Sequence, residues 1–335
     1  MLRSAKRFIY VTVVCNRRKT LSTNNFGINK KIEMKKITFT ILLLVNLVGV
    51  FAQVDFGISI FPDIVYHHKD GMGLLMDIYV PKNNNGKGVI FINSGGFQSP
   101  FFSKQYKEKN DSLSNRNGIN YIFIKKTDIQ PEYSQQFSFE ELLKNGYTIF
   151  DVKHSSTPKY MLNEITNDLE YAISYIKKYS EKYNVSKDRI GICGGSAGGY
   201  LAAFLAANPQ NENKLKTVAL YFPAGYDYLN TRNIEVRKAL PSLNISDSEL
   251  DSLSLKHYIS NKLPPTLIMY GENDNPFITE PSDIIINELK DLGVECKKIV
   301  FENVGHIWMD KNGKYSNETG EKAMNNLIEW FDKYL

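Results

Sequence analysis

The stretch GICGGSAGGY, residues 191–200, places one serine among four glycines. Glycine has no Cβ, so a cluster of glycines marks a tight turn or a close approach of two backbones. The residues RIGICG (189–194) form an apolar run of strand length, and AGGYLAAFLAA (197–207) follows as a helical pattern. Ser196 is therefore predicted to lie at a strand-to-helix corner.

Residues 194–198 match G-x-S-x-G, the nucleophile elbow, in which a sharp turn exposes a serine hydroxyl at the end of a sheet. Gly194 and Gly198 relieve the clashes that such a turn creates. The helix that follows aims its N-terminus at Ser196, which favours negative charge on a bound oxygen. Chance often supplies this motif, so a glycine-rich turn that only packs a helix on a strand stays open as the alternative.

Strand-length apolar runs alternate with helical patterns along the chain, which predicts an α/β fold with a mostly parallel central sheet and helices on both faces. Residues 64–80 are predicted to form an antiparallel N-terminal hairpin that turns at Asp70–Gly71. The predicted strands are 74–80, 88–93, 148–154, 189–194, 217–223, 265–271 and 296–303, and the predicted helices are 163–183, 197–207, 283–293 and 317–335.

Residues 53–335 are predicted to form a single domain, because no repeat or shift in composition divides them. Two long stretches without the regular alternation, at about 97–137 and 224–264, are predicted to be insertions. Insertions of this length inside an α/β domain tend to be lids or substrate walls.

A serine hydroxyl is a poor nucleophile without an adjacent base, and that base needs an acid to orient it. Asp274 lies three residues after the strand predicted at 265–271, and His306 lies just after the next predicted strand. The order Ser, Asp, His is the one expected for this architecture. We therefore predict that Ser196, Asp274 and His306 meet at the carboxyl edge of the sheet as nucleophile, acid and base.

Other interpretations of these residues stay open. Asp274 could be a turn-former, with Glu272 or Asp227 as the acid instead, and His306 could be a plain surface histidine. The remaining histidines fit the role of the base less well because they precede the serine or fall in the hairpin or an insertion: His67, His68, His154 and His257.

An oxyanion would need backbone donors. The N–H of Ala197 is one candidate, and the turn at Gly95–Gly96, in the loop after the strand 88–93, is the other. The structural alternative is an ordinary Gly-Gly turn. No CxxC or similar spacing indicates a metal site.

Residues 34–52, MKKITFTILLLVNLVGVFA, have the positive start, apolar run and small-residue end of a signal peptide. The run is shorter than the roughly 20 residues that span a bilayer, so we expect a secreted or periplasmic protein without a stable membrane anchor. Residues 1–33 are predicted to be an upstream leader that is not native. Without residues 1–52 the chain has 31 basic and 35 acidic residues, a net charge of −4, which removes the main support for nucleic-acid binding.

Taken together, DRIGICGGSAGGYLA (188–202), GENDNPF (271–277) and VGH (304–306) resemble the α/β-hydrolase superfamily, in particular its acetyl esterases and carboxylesterases. The resemblance covers most of residues 60–335. One departure is Asn93–Ser94, which stands where relatives often begin the oxyanion loop with His-Gly. In the superfamily's usual strand order, the strands that carry Cys193 and Cys296 are not neighbours, so we expect two free and mostly buried thiols.

The residues and the resemblance imply a secreted serine hydrolase that cleaves a carboxylic ester, with a short acyl group, in a small molecule or an acylated sugar. Neither a cofactor nor a metal is implied. A serine peptidase of the prolyl-oligopeptidase type is a second hypothesis, although those relatives place an aromatic residue where this chain has Ala197. A non-catalytic binding protein on a hydrolase fold is a third.

Overall fold

The computed structural model describes residues 57–99, 114–116, 119–121, 139–207, 214–229 and 243–335. These residues belong to one compact unit that spans Phe56–Leu335. The leader and signal peptide predicted at 1–52 lie outside the described residues, as does most of the insertion at 97–137.

Within the described part of the chain, eight strands form one sheet in the order β1-β2-β6-β3-β7-β8-β9-β10. Strand β2 pairs antiparallel with β1 and β6, and every pair from β6 to β10 is parallel. A separate antiparallel pair is formed by the backbones of β4 and β5. The strands are β1 (Ile58–Lys69), β2 (Met72–Pro81), β3 (Gly88–Ile92), β4 (Ser114–Arg116), β5 (Ile119–Tyr121), β6 (Thr148–Val152), β7 (Ile190–Gly195), β8 (Val218–Tyr221), β9 (Thr266–Gly271) and β10 (Cys296–Phe301).

The helices lie along the connections between these strands. Short 3₁₀ turns add Ser180–Tyr183, Leu255–His257 and His306–Trp308. The helices of the described residues are α1 (Phe139–Lys144), α2 (Leu162–Tyr179), α3 (Ala197–Ala207), α4 (Asp247–Ser252), α5 (Pro276–Asp291) and α6 (Asn317–Tyr334).

The seven predicted strands are all present, with ends within two residues of the prediction. The hairpin is confirmed too: β1 and β2 join at Asp70 and Gly71, whose φ angles of 50° and 77° suit a tight hairpin turn. The inner strands are covered on both faces, and β6, β8 and β9 are buried at every position. This is the pattern that parallel sheets show when helices cover both sides.

The start of α5 was predicted wrongly. The helix begins at Pro276, seven residues before the predicted 283, because the side chain of Asn275 accepts a hydrogen bond from the N–H of Phe277 and caps it. Proline at the first helical position is favourable, since its missing N–H has no partner there anyway. Pro281 inside the helix hid this start from the periodicity, because proline usually ends a helical pattern.

Both described cysteines are free, as predicted. Strands β7 and β10 are separated by two strands, which puts them roughly 14 Å apart at about 4.8 Å per strand. A disulfide needs Cα atoms within about 7 Å. Burial raises the pKa of both thiols, and Cys193 is fully buried whereas Cys296 is partly exposed.

Candidate active site

Ser196 lies at the corner between β7 and α3, with a left-handed φ of 55°. A non-glycine residue in this conformation costs roughly 1–2 kcal/mol. The N–H of Ser196 donates to the carbonyl of Tyr221 at 3.0 Å, which ties the corner to the end of β8. The corner therefore holds the hydroxyl at the carboxyl edge of the sheet.

Two glycines allow this corner to close. A Cβ at Gly194 would lie 2.4 Å from the carbonyl oxygen of Gly198. A Cβ at Gly198 would lie 2.5 Å from the carbonyl oxygen of Ile92, at the end of β3. Both distances are shorter than the van der Waals contact between a carbon and an oxygen. The two glycines therefore permit a close approach of backbones that any Cβ atom would prevent.

The structure brings Ser196, His306 and Asp274 together. The Nε2 atom of His306 lies 3.1 Å from the Oγ atom of Ser196. Its Nδ1 atom lies 3.0 and 3.1 Å from the two carboxylate oxygens of Asp274. A base within hydrogen-bond reach of a hydroxyl, oriented by a third group, is the arrangement that can activate a serine.

The carboxylate of Asp274 is fully buried, whereas the side chain of His306 is 40% exposed. One carboxylate oxygen also accepts the N–H of Asn275 at 2.7 Å. Burial away from water strengthens the interaction of the carboxylate with the imidazole. The carboxylate of Asp274 is thus fixed, and the imidazole of His306 is reachable from solvent.

The alternative acids have other partners. The exposed Glu272 accepts a long hydrogen bond of 3.4 Å from the N–H of Asn303. Asp227 accepts from the ammonium group of Lys256 at 2.9 Å. The carboxylate that meets the Nδ1 atom of His306 is that of Asp274.

The other histidines lie elsewhere. The ring of His67 stacks on Tyr171, with 3.8 Å between ring centroids. The ring of His257 contacts Asp251 at 3.1 Å. His154 is buried two residues after β6, and its Nδ1 atom lies 2.6 Å from the carbonyl oxygen of Ser155.

The two predicted glycine donors differ. The N–H of Gly95 donates to the carbonyl of Gln98 at 2.9 Å, so it is already used within its own turn. Among the described residues, no backbone acceptor takes the N–H of Gly96 or of Ala197. Gly96 and Ala197 also line the pocket beside Ser196. Gly96 and Ala197 therefore remain the candidate donors beside Ser196.

A pocket of about 510 Å³ opens beside Ser196 and His306. No motif in the sequence indicated the walls of this pocket, although the cap signal of Asn275–Pro276 could have placed the start of α5 here. Its apolar walls, none of them predicted as site residues, are Phe97, Ala224, Tyr228, Phe277 and Ile278.

Comparisons with known proteins agree with this architecture. The family described as BD-FAE matches residues 118–234, about a third of the chain. A native esterase structure from Thermogutta terrifontis, Est2, superposes with a TM-score of 0.60 at 19% identity, over 81% of this chain and 91% of that one. A truncated carbohydrate esterase from gut microbiota superposes with a TM-score of 0.61 at 18% identity, over 83% and 98% of the two chains. The chain has the α/β-hydrolase fold.

Among curated proteins, a probable isoprenylcysteine alpha-carbonyl methylesterase from Arabidopsis thaliana is 22% identical over 257 residues. That alignment covers 69% of this chain and 48% of the relative. Endo-1,4-beta-xylanase B from Butyrivibrio fibrisolvens is 27% identical over 150 residues, which cover 42% of this chain and 24% of that relative. The chain therefore spans less than half the length of these two relatives.

A buried polar network lies along β6 and the residues that follow it. The ammonium group of Lys153 is 2.6 Å from Asp77 and 3.6 Å from Asp151. Burial raises the pKa of Asp151 to about 6, whereas the positive charge of Lys153 acts to lower that pKa. Burial also lowers the pKa of His154 to about 4.

The loop after β6 braces the turn that carries Gly96. The N–H of Thr157 donates to the carbonyl of Phe97 at 3.4 Å, and the hydroxyl of Ser156 accepts the N–H of Ser99 at 2.9 Å. The loop after β6 therefore fixes the loop after the neighbouring strand β3.

Two further observations concern the residues that the structure describes. Their His, Cys, Asp and Glu side chains form no group of three or more that could hold a metal ion. None of their helices combines the length and apolarity needed to cross a bilayer.

Proposed function

We propose that the chain is a serine hydrolase that cleaves carboxylic esters. The observation that supports this most directly is the continuous set of contacts from the Oγ atom of Ser196 through His306 to Asp274. A serine nucleophile, a histidine base and an orienting carboxylate recur together on several unrelated folds. The esterases among the similar structures support the same class of reaction.

In the first step, Ser196 attacks the carbonyl carbon of the ester through Oγ. His306 accepts the hydroxyl proton on Nε2, and Asp274 stabilises the imidazolium that forms. The tetrahedral intermediate then collapses, the bond to the alcohol oxygen breaks, and His306 returns the proton to that oxygen. The alcohol leaves and the acyl group stays on Ser196 as an ester.

The negative oxygen of the intermediate is held by the N–H groups of Gly96 and Ala197. Ala197 is the first residue of α3, so the positive end of the helix dipole acts at the same place. Each donor of this kind contributes about 3–4 kcal/mol in the transition state. Water, with His306 now acting as its base, hydrolyses the acyl-enzyme and frees the acid.

We propose further that the acyl group is short. Phe97 and Tyr228, two walls of the pocket, both pack against the buried ring of Tyr200, with centroid distances of 5.9 and 5.2 Å. The hydroxyl of Tyr200 donates to the carbonyl of Leu253 at 2.6 Å and fixes that ring in turn. A long acyl chain would have to displace these interlocked rings, because protein interiors have little free space.

An acylated sugar is the natural substrate that we propose, in a secreted or periplasmic setting. The signal-peptide pattern at 34–52 supports export. The carbohydrate esterase and the Butyrivibrio fibrisolvens protein named endo-1,4-beta-xylanase B, 27% identical over 150 residues, support a link to carbohydrate. N-terminal sequencing of the exported protein tests the cleavage after Ala52.

The decisive experiment assays the purified mature protein and Ser196→Ala with p-nitrophenyl esters from acetate to decanoate, together with a prolyl p-nitroanilide. We expect Ser196-dependent ester turnover that is highest for the shortest acyl groups. Covalent labelling of Ser196 by a fluorophosphonate is the second readout. Turnover of the anilide alone would favour the peptidase, and neither turnover nor labelling would favour a binding protein.

A further inference from the structure

Phe222 is a buried aromatic residue that none of the proposed steps uses. It follows β8 directly, its side chain is fully buried, and its φ is 40°. Its N–H donates to the carbonyl of Met269 at 2.6 Å, which fixes the residue against β9. A bulky residue in the left-handed region is an outlier that the surrounding structure must hold in place.

The ring of Phe222 contacts both His306 and the backbone at Gly195, next to Ser196. Its centroid is 4.7 Å from that of His306, at an interplanar angle of 57°. On the other side, a Cβ at Gly195 would lie 3.0 Å from its Cε2 atom. One ring therefore lies between the residue that precedes Ser196 and the imidazole of the base.

The loop that carries His306 is anchored to the same ring. Ile307 and Trp308 have φ angles of 53° and 60°, and for the β-branched Ile307 this conformation is especially unfavourable. These angles direct the indole of Trp308 into the core, where it is fully buried. Its ring centroid lies 5.1 Å from that of Phe222 and 5.0 Å from that of Phe301. Two consecutive residues, Ile307 and Trp308, thus have unfavourable backbone angles where this side chain packs into the core.

Hydrogen bonds alone do not fix the imidazole. The contacts to Asp274 and Ser196 lie at opposite ends of the ring, so the ring could still tilt about the line that joins Nδ1 and Nε2. The side chain of His306 is 40% exposed, which leaves room for movement towards solvent. Phe222 closes one side and limits that tilt.

We propose that Phe222 is a positioning residue that holds the imidazole of His306 in line with the hydroxyl of Ser196. This inference rests on the proposed function, because it concerns the geometry of proton transfer in that reaction. Phe222 is not among the residues that line the pocket, and it acts through its contact with His306. Misplacement of a reacting group by about 1 Å can cost about 100-fold in rate.

The test compares Phe222→Leu and Phe222→Met with Phe331→Leu, a phenylalanine that is equally buried but packs against Tyr147. All variants are assayed with p-nitrophenyl acetate, and circular dichroism and thermal melts report folding. For the Phe222 variants we expect kcat to fall about 10- to 100-fold with KM within about twofold of wild type. The rate of fluorophosphonate labelling should fall in parallel, and Phe331→Leu should keep kcat within about twofold.

Each other result decides against the positioning role. Wild-type kcat in a folded Phe222 variant overturns it, as does an equal loss in Phe331→Leu. Failure of both Phe222 variants to fold marks the residue as structural and also overturns it. Failure of the proposed function is a separate result, namely no Ser196-dependent turnover in the wild type, and the inference then falls with the function on which it rests.

Discussion

The Nε2 atom of His306 lies 3.1 Å from the Oγ atom of Ser196, although 110 positions separate the two residues in the chain. Ser196 follows β7 and His306 follows β10, and these strands are not neighbours. The loop that carries His306 reaches inwards across β9, where a Cβ at Gly271 would lie 2.3 Å from the carbonyl of Val304. The close approach at Gly271 helps bring the imidazole of His306 and the hydroxyl of Ser196 together.

Asp274→Asn should lower kcat by about 10³- to 10⁴-fold, because an amide no longer stabilises the imidazolium and favours the wrong tautomer. Glu272→Gln is the matched control, since that side chain is exposed and does not contact His306. We expect it to keep kcat within about twofold. Steady-state kinetics on p-nitrophenyl acetate measure both, and an equal loss in the two variants would refute the assignment of the acid.

Gly198→Ala should destabilise the protein by about 3 kcal/mol or more, because the new methyl group would lie 2.5 Å from the carbonyl of Ile92 and backbone must move. Gly95→Ala is the control: its Cβ would meet nothing within 4 Å. Urea unfolding followed by circular dichroism gives both free energies. Equal stability of the two variants would contradict the close packing described for the corner.

Tyr228→Ala should extend the acyl range. Loss of the ring opens the pocket wall that packs against Tyr200, so turnover of octanoate should rise relative to acetate by about tenfold or more, if each buried methylene contributes about 0.8 kcal/mol. The measurement is the ratio of kcat/KM for the two esters. Tyr171→Ala, on an exposed surface position, should leave this ratio unchanged. An unchanged ratio in Tyr228→Ala would mean that the acyl chain lies elsewhere.

His154 should make stability depend on pH. Burial lowers its pKa from 6.5 to about 4, so between these values the unfolded chain binds more protons than the folded one. The folded state therefore loses stability as the pH falls from about 6.5 to about 4, by roughly 3 kcal/mol at 1.36 kcal/mol per pKa unit.

The measurement is urea unfolding at pH 7.5 and pH 4.5 for the wild type and His154→Asn, whose amide can still donate to the carbonyl of Ser155. The difference between the proteins isolates His154. Asp151, whose pKa burial raises to about 6, acts in the opposite direction but is present in both. His257→Asn, at an exposed position, controls for the substitution. A parallel loss of stability in wild type and His154→Asn would contradict the prediction.

Asp168→Ala should destabilise the protein by about 3 kcal/mol, because it leaves the ammonium group of Lys69 without its buried partner. The carboxylate of Asp168 also accepts a hydrogen bond from Ser155, so its loss frees the loop that braces Phe97. The exposed pair Glu318–Lys322 is the control, and Glu318→Ala should leave the unfolding midpoint unchanged. A similar unfolding midpoint for both variants would show that the pair of Asp168 and Lys69 does not stabilise the protein.

The sequence alone determined the strand order along the chain, the position of Ser196 at a corner, and the residue types that follow β9 and β10. These features are local: apolar runs of fixed length, glycines where backbones approach, and polar residues just after strands. The same local rules failed at α5, where Pro281 concealed the helix start that Asn275 caps. They also could not separate Gly95 from Gly96, because which N–H is used depends on a turn closed by Gln98.

Only the tertiary structure decided which carboxylate meets His306, which glycine N–H is used inside the turn closed by Gln98, and which rings line the pocket. Asp274, Glu272 and Asp227 are equivalent by sequence position, since each follows a strand at the same edge. Their roles depend on burial and on distances of about 3 Å between segments far apart in the chain, which arise only when the sheet and its loops pack. The contact between Phe222 and His306 is of the same kind, since it joins the ends of two strands that the sequence keeps apart.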